Sequence, residues 1–463
     1  MPSSHVLDAH LKTVIGLCVG LAAAGCGSSN APDSSQTTEP AANGASVVTY
    51  WQDVEPILES HCIQCHQDGG IAPFALDNYD SVTKHANAVR AATSERHMPP
   101  WSAVSDGSCG EFADSLALSA EQIQTLSDWV LGGTPLGTPG VAHLPSVPKL
   151  DDAFAVATPV FQPMPAGTAL AQHDEYRCFL LDAPADPGFI TAYEVNPGTP
   201  EIVHHLIAYL IDPAVPADGV EGATNLDVVQ ALDAASPDRD GWPCYSGAGD
   251  GINASAVPIV WAPGQGVVRF PEGSGVPVAP TDKIVVQVHY NLADSSNIGK
   301  LDQTQIKLEV VPSVEKIGIF VLDDPLLDSA QTDHPDTLPP GQASYKYAWQ
   351  NKLSEIGLDA DVGAELHGIM PHMHGLGHRY EFDLENGTPA SGCAAKIDDW
   401  NFHWQRMYFY QTPYRLTPDS SIQVTCDYDT TSVTEPVLPG WGTQNEMCLA
   451  TMYVTVPIGA LAE

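Results

Sequence analysis

Apolar residues recur at helical spacing only in the first third of this chain; beyond residue 151 they fall into short β-like runs. Trp51, Val54, Ile57 and Leu58 are spaced as one face of a helix. A second helix is predicted to open at Ser119, where Gln122 completes a capping-box pattern. Its apolar face is Ile123, Leu126, Trp129 and Val130, and Gly132-Gly133 ends it. From residue 151 onward, runs rich in Val, Ile, Tyr and Thr alternate with Gly, Pro and Asp turns. They span 202–211, 283–290, 306–311, 316–322, 421–428 and 449–456. That rhythm predicts antiparallel β-sandwiches. The region is large for one sandwich, so it divides into β domains at 151–312 and 313–463.

Composition separates these units from an N-terminal leader. The chain has 463 residues, 43% of them hydrophobic, enough for two to four domains with real cores. Lys12 precedes an apolar run at 14–24, too short for a membrane span. The run ends in Ala23-Ala24-Gly25-Cys26, which resembles a lipoprotein signal-peptidase box. It departs from that box in having Ala23 where Leu is usual, and Asp8 offsets Lys12. The reading is a signal peptide of lipoprotein type at 1–25 and export to the periplasm or cell surface. A lipid anchor at Cys26 would hold the protein to the membrane; plain secretion is the alternative. Residues 26–48 are Ser, Ala, Asn, Thr and Pro-rich and read as a flexible linker. Residues 139–150, with Pro139, Pro145 and Pro148, read as a second linker. Between the two lies a helical unit at 49–138.

Charge excludes one class of partner. Eighteen Lys+Arg against 57 Asp+Glu give −39, so nucleic acid, which needs a basic footprint, is not expected. The acidity otherwise reads as a solvated surface, or as a face that docks a basic redox partner.

The helical unit carries Cys62-Ile63-Gln64-Cys65-His66. Two cysteines at this spacing can form thioether bonds to a porphyrin, and the adjacent His supplies the proximal nitrogen, so the motif predicts haem c. Zinc binding and thiol exchange are its alternatives. Met98, in Arg96-His97-Met98-Pro99-Pro100-Trp101, is the candidate sixth ligand, and a Met/His pair suits electron transfer. Core packing is the plain reading of Met98, and His97 and His85 are rival ligands. The unit resembles small, all-α class I cytochromes c.

The β region carries sparse histidines: His204-His205, His289 and His372-Met373-His374, with Met447 further on. Imidazole suits copper, and a thioether adds the soft donor that favours Cu(I). His372 and His374 are an i, i+2 pair, so on a strand both face one side and can reach one metal. His204 and His205 would point to opposite faces of a regular strand, so joint binding needs a bulge or a strand end. Taken singly, such residues read as core or surface positions.

In order and approximate spacing they resemble a family, the copper type II ascorbate-dependent monooxygenases. Its representatives are peptidylglycine α-hydroxylating monooxygenase and dopamine β-monooxygenase. The residues that carry the resemblance are Val203-His204-His205, Gln287-Val288-His289-Tyr290, His372-Met373-His374-Gly375-Leu376-Gly377 and Glu446-Met447-Cys448, over about residues 160–458. The resemblance implies two jelly-roll-like β domains and two copper ions facing each other across a solvent-filled cleft. His204, His205 and His289 would hold the electron-transfer copper. His372, His374 and Met447 would hold the oxygen-activating copper and form the catalytic set. O2 and a small-molecule substrate are the implied partners, with an external electron donor behind the haem. The family's peptide-amidating members clamp a substrate carboxylate at positions that are Met370, Leu449 and Thr451 here. That departure implies a non-peptide substrate.

Six cysteines remain after export, lipidation and haem attachment, and they allow 15 connectivities. An exported chain is where disulfides persist. The resemblance implies Cys426–Cys448 and, less directly, Cys178–Cys244, leaving Cys109 and Cys393 unassigned. The resulting expectation is a monooxygenase fed by its own haem. A copper-binding lipoprotein without turnover and a pure electron carrier are the rivals.

Overall fold

A computed structural model describes residues 47–458 except 69–71, 114, 141–148, 168–172, 246, 264, 331, 357–362, 389–390, 403, 418 and 443. The signal and Cys26 lie outside the described residues, as does most of the second linker. No helix among the described residues is long and apolar enough to cross a membrane.

The N-terminal pattern becomes helix as its spacing requires. A π-helical turn, Tyr50–Val54, runs into helix α1 (Glu55–His61) and buries Tyr50, Val54, Ile57 and Leu58. Helix α3 (Ala120–Leu131) starts from the Ser119/Gln122 capping box and ends at Gly132. Between them lies α2 (Tyr79–Ser94), which the hydrophobic pattern does not announce. Its buried positions are Val82, Ala86, Val89 and Thr93, too small and too mixed to stand out as an apolar stripe. The three helices share a core around Tyr50, Leu58, Leu126 and Trp129.

The chain between α2 and α3 leaves the helices and lies along the C-terminal half. Ala103 pairs with Ile397 and Phe112 with Tyr410. Both Ala103 and Phe112 belong to the core of that half. A disulfide, Cys109–Cys393, closes the contact. Gly110 is needed there, because a Cβ would clash with the Ala394 carbonyl oxygen.

The β region folds as three sheets. A five-stranded sheet runs in the order β5 (Trp242–Pro243), β2 (Asp174–Asp182), β9 (Lys283–Asn291), β4 (Val203–Ile211), β6 (Ala256–Trp261). A four-stranded sheet runs β12 (Tyr345–Lys352), β17 (Ser421–Tyr428), β14 (Gly377–Glu385), β15 (Gly392–Ile397). The third, nine-stranded, runs β1 (Phe154–Ala157), β10 (Gln305–Val311), β3 (Gly188–Asn196), β8 (Ser274–Val278), β11 (Lys316–Asp323), β18 (Leu449–Pro457), β13 (Glu365–His372), β16 (Tyr408–Arg415). A short β7 (Val268–Arg269) is attached to β3.

One end of the long sheet packs on the five-stranded sheet through Ile190, Ile306, Leu206 and Val288. The other end packs on the four-stranded sheet through Leu366, Val454, Phe382 and Val424. The result is two sandwiches built on one shared sheet. The join is parallel pairing of β8 with β11, Ser274 opposite Lys316 and Gly275 opposite Ile317. Two helices interrupt the β region, α4 (Asn225–Ala234) and the short α5 (Pro325–Ser329).

Candidate metal centre

His205 on β4 lies directly opposite His289 on β9, while Val203 lies opposite Tyr290. His204 is therefore the extra residue of a β-bulge, the irregularity that joint binding requires. The bulge turns both neighbouring imidazoles toward His289. The Nδ1 atoms of His204 and His205 are 3.3 Å apart, and those of His205 and His289 are 3.2 Å apart. The three side chains form a cluster able to hold one metal ion. His289 Nε2–H donates to the buried Asp174 carboxylate at 3.0 Å, which turns Nδ1 toward the other two imidazoles. Tyr176 stacks on the His289 ring at 4.1 Å.

The second set is assembled by β13 and β18, neighbours in the long sheet although far apart in sequence. His372, at the end of β13, pairs with Leu449 at the start of β18, which brings Met447 beside it. Met373 turns into the C-terminal core, so His372 and His374 share the other face. His372 Nδ1–H donates to Gln405 Oε1, and His374 Nδ1–H donates to the Asn445 carbonyl at 2.9 Å. Each ring thus has Nδ1 engaged and presents Nε2 as the nitrogen that could take a metal. The loop after His372 is held by Glu446, whose carboxylate accepts the His374 amide at 2.9 Å and the Leu376 amide at 2.7 Å. The Cys426–Cys448 bridge fixes the chain next to Met447.

Electrostatics favours metal over protons. Burial pushes His372 down to about 4 and His374 to about 3. Burial, then the surrounding imidazoles, hold His205 well below the usual histidine range. Neutral imidazoles keep their lone pairs for a ligand bond at ordinary pH.

Both sets open on one cavity of about 240 Å³. His205, His372, His374 and Met447 line it, and so do Met370, Leu449 and Thr451. The rings of His205 and His372 are 6.2 Å apart, centroid to centroid. The halves are drawn together by the shared sheet, and Tyr176 O–H donates to the Trp441 carbonyl at 2.6 Å. Phe402 packs across the gap: its ring stacks on His204 at 4.3 Å and meets the edge of His374 at 5.8 Å. Phe402, Gln405, Asp174 and Tyr176 carry no motif that would single them out in the sequence.

In the helical unit, Cys62 and Cys65 are free thiols, both raised above the usual thiol range by burial, Cys62 to about 12. His66 Nδ1–H donates to the Phe74 carbonyl at 2.9 Å. Among the described residues its Nε2 has no partner, the orientation a proximal ligand needs. The rival sixth ligands separate. His97 is 68% exposed beside Glu95. His85 stacks on Phe74 at 4.0 Å, and Phe74 in turn packs on His66. Met98 is half-buried, and its amide donates to Ala92 O. Nothing among the described residues sets its sulfur opposite His66. Cys178–Cys244 and Cys426–Cys448 are bonded as the resemblance implies, and the two unassigned cysteines bond to each other.

Residues 326–456 match the family model of the copper type II ascorbate-dependent monooxygenase, C-terminal domain. His372, His374 and Met447 all fall inside that match. The tyramine beta-hydroxylase of Caenorhabditis briggsae is 21% identical over 287 residues, covering 60% of this chain and 45% of the relative. The chain thus matches less than half the length of that curated relative. Among solved structures, the major capsid protein P2 of bacteriophage PM2 covers 66% of this chain and 99% of its own at 10% identity and a TM-score of 0.25. Broad bean stain virus covers 65% and 88% at 10% identity and a TM-score of 0.21. At such scores neither likeness carries an argument.

Proposed function

We propose that this protein is a copper-dependent monooxygenase that hydroxylates a C–H bond of a small, non-peptide substrate with O2. The observation that carries the reading is the opening of two separate histidine sets onto one cavity, the second set within the matched C-terminal segment. His204, His205 and His289 would hold one copper, and His372, His374 and Met447 the other. Copper bound there supplies one-electron redox chemistry and oxygen activation. The protein's share is position. Asp174, Gln405 and the Asn445 carbonyl fix the ring orientations. Glu446 holds the His374 loop.

The wall argues for the substrate class. Met370, Leu449 and Thr451 offer no cation to a carboxylate, and Ile207, Val260 and Trp261 add apolar surface. Asp323, Asp324 and Asp328 bring carboxyl groups to the same wall. Small aromatic amines, the class to which the relative's named substrate belongs, are therefore the first compounds to test.

The same reading gives Cys62, Cys65 and His66 a covalent c-type haem, with Met98 as sixth ligand, that passes electrons to the copper domains. Free thiols at the motif and the orientation of His66 support it. Export with lipidation at Cys26 is part of the reading; three disulfides of the kind that persist in oxidising compartments support the export. So is the division into a haem unit at 49–138 and β domains at 151–312 and 313–463. The test is metal and haem analysis of periplasmically matured protein, followed by mass spectrometry of candidate substrates under ¹⁸O2. Two coppers per chain and one ¹⁸O atom in a product are expected. Copper binding without any O2 uptake would replace the enzyme with a copper-binding protein.

A further inference from the structure

Strand β4 carries one wall of the cavity away from its histidines. Leu206, Ala208 and Leu210 are fully buried in the core, while His205, Ile207 and Tyr209 line the cavity. At ~3.3 Å per residue, Tyr209 stands ~13 Å along the strand from His205. Its surroundings are apolar: Ile207 shares its face, and Val260 and Trp261 come from the neighbouring β6.

Most polar side chains around this cavity are already engaged. Trp261 Nε1–H donates to the Gln265 carbonyl, and Tyr176 O–H to the Trp441 carbonyl. Gln405 accepts from His372 and donates to the Phe402 carbonyl. Asp323 accepts from Asn351, and Asp324 from the Leu327 and Cys448 amides. The Tyr209 hydroxyl differs. It has no hydrogen-bond partner among the described residues, although Tyr209 is only 7% exposed. Burial raises it above the ordinary tyrosine range, so it stays a neutral hydroxyl at ordinary pH. Thr451 and Asp328 are free in the same sense, but Thr451 lies two residues from Leu449, the partner of His372, and Asp328 is exposed. Tyr209 is the free polar group that is both buried and set back from the candidate metal ligands.

A hydroxyl donates one hydrogen bond and accepts others, so it fits an uncharged partner in either direction. A charged group would lose its water against this apolar wall and gain no counter-charge from Tyr209. We propose that Tyr209 is a specificity-determining residue, whose hydroxyl hydrogen-bonds an uncharged hydroxyl on the substrate's aromatic ring and selects phenols over the same rings without it. The inference rests on the reading above that this cavity receives a small aromatic substrate. A ring lacking the hydroxyl would fill the cavity, displace water and leave Tyr209 unpaired. A buried hydrogen-bonding group left unpaired discriminates more strongly than a missing apolar contact. Held at Tyr209, the substrate turns its other end toward the histidine sets.

The test reads binding rather than turnover. The full chain, matured with its metals, is titrated by calorimetry with p-cresol and with toluene, in the absence of reductant. Parent protein should bind p-cresol at least about tenfold more tightly than toluene. Tyr209→Phe keeps the ring and its packing and removes only the oxygen. It should weaken p-cresol about tenfold and leave toluene within about twofold, erasing the preference, with copper content unchanged. If the Phe variant does not fold, Tyr209→Leu gives the same comparison, because altered packing alone would move both affinities together. A preference for p-cresol that survives in the variant would overturn the assignment. Equal affinities in the parent, or no binding of either compound, would overturn it as well. Selective binding that is lost in Tyr209→Phe, in a protein that takes up no O2 with reductant, would end the monooxygenase reading and leave the role of Tyr209 standing.

Discussion

Removing the Cys109–Cys393 bridge should loosen the helical unit from the C-terminal half without dissolving either. The bridge joins residues 284 apart in sequence, and the Cys178–Cys244 bridge shortens that loop only modestly. Loop-closure entropy puts its stabilising effect at about 5 kcal/mol, while native disulfides typically cost 2–5 kcal/mol when removed. The noncovalent contacts remain in a Cys109→Ser, Cys393→Ser double variant. Val104 N–H still donates to the Lys396 carbonyl at 2.8 Å, Ala113 N–H to the Phe409 carbonyl at 2.7 Å, and Trp101 still packs on Tyr408. Local opening of this arm should therefore become easier by at least ~2 kcal/mol, which is ~30-fold faster exchange of those two amides. Native-state hydrogen exchange resolved at Val104 and Ala113 measures it, with amides of β9 and β17 as controls. Equal exchange at Val104 and Ala113 in parent and variant would refute the reasoning. So would uniform acceleration across β9 and β17, because the bridge would then act on the whole fold.

Two further outcomes test the site. Met447→Ile should keep a copper on His204, His205 and His289 and abolish ¹⁸O incorporation. X-ray absorption of the cuprous protein should lose its copper–sulfur scatterer, and unchanged sulfur scattering would place the thioether elsewhere. Asp324 reports on burial beside the cavity. Burial pushes its carboxyl up to about 7 although it accepts the Leu327 and Cys448 amides. Folded protein thus holds a proton that the unfolded chain releases at the ordinary value. The stability tied to that proton is full below about pH 4 and is lost as pH rises through 7, up to ~4 kcal/mol. In chelator-treated protein, Asp324→Asn should flatten this fall in a denaturant titration at pH 5 against pH 8; equal slopes for parent and variant would remove Asp324 as the cause.

Much of the β architecture is legible because its strands are apolar runs cut by turn residues. The run at 421–428 coincides with β17, and the other five runs differ from their strands by a residue or so. Helix α3 was legible from its cap and α2 was not, because a helix that buries Ala86 and Thr93 beside Val82 and Val89 has no continuous apolar stripe. The candidate ligands were legible as residue types, but their geometry was not. The doublet His204-His205 demanded an irregular strand, and only the register shift opposite His289 and Tyr290 supplies one. Contacts made by loops left no trace. Phe402 and Gln405 belong to an aperiodic stretch, and Cys109–Cys393 joins segments that no local pattern relates. The division at residue 312 follows a real turn between β10 and β11, yet the long sheet crosses it.

That crossing bears on what can enter the cavity. If the halves were hinged, the 6.2 Å approach of His205 to His372 could open into a wide cleft. Hinging would have to break the parallel β8–β11 pairing. It would also pull Tyr453 of β18 off Phe270, stacked at 4.8 Å within the core of the first half. Burying a side chain of that size contributes about 1.5–3 kcal/mol, and the hydrogen bonds add to it. The halves therefore behave as one body, and the cavity is sized by the fold. At about 240 Å³ it falls below the ~300–1,000 Å³ of pockets that take drug-sized ligands. A ring with a short side chain matches that volume. Met370, Leu449 and Thr451 line the same cavity without a cation for a carboxylate. Size and wall chemistry thus support the proposed substrate class on separate grounds, and a peptide turned over by this protein would contradict the proposal.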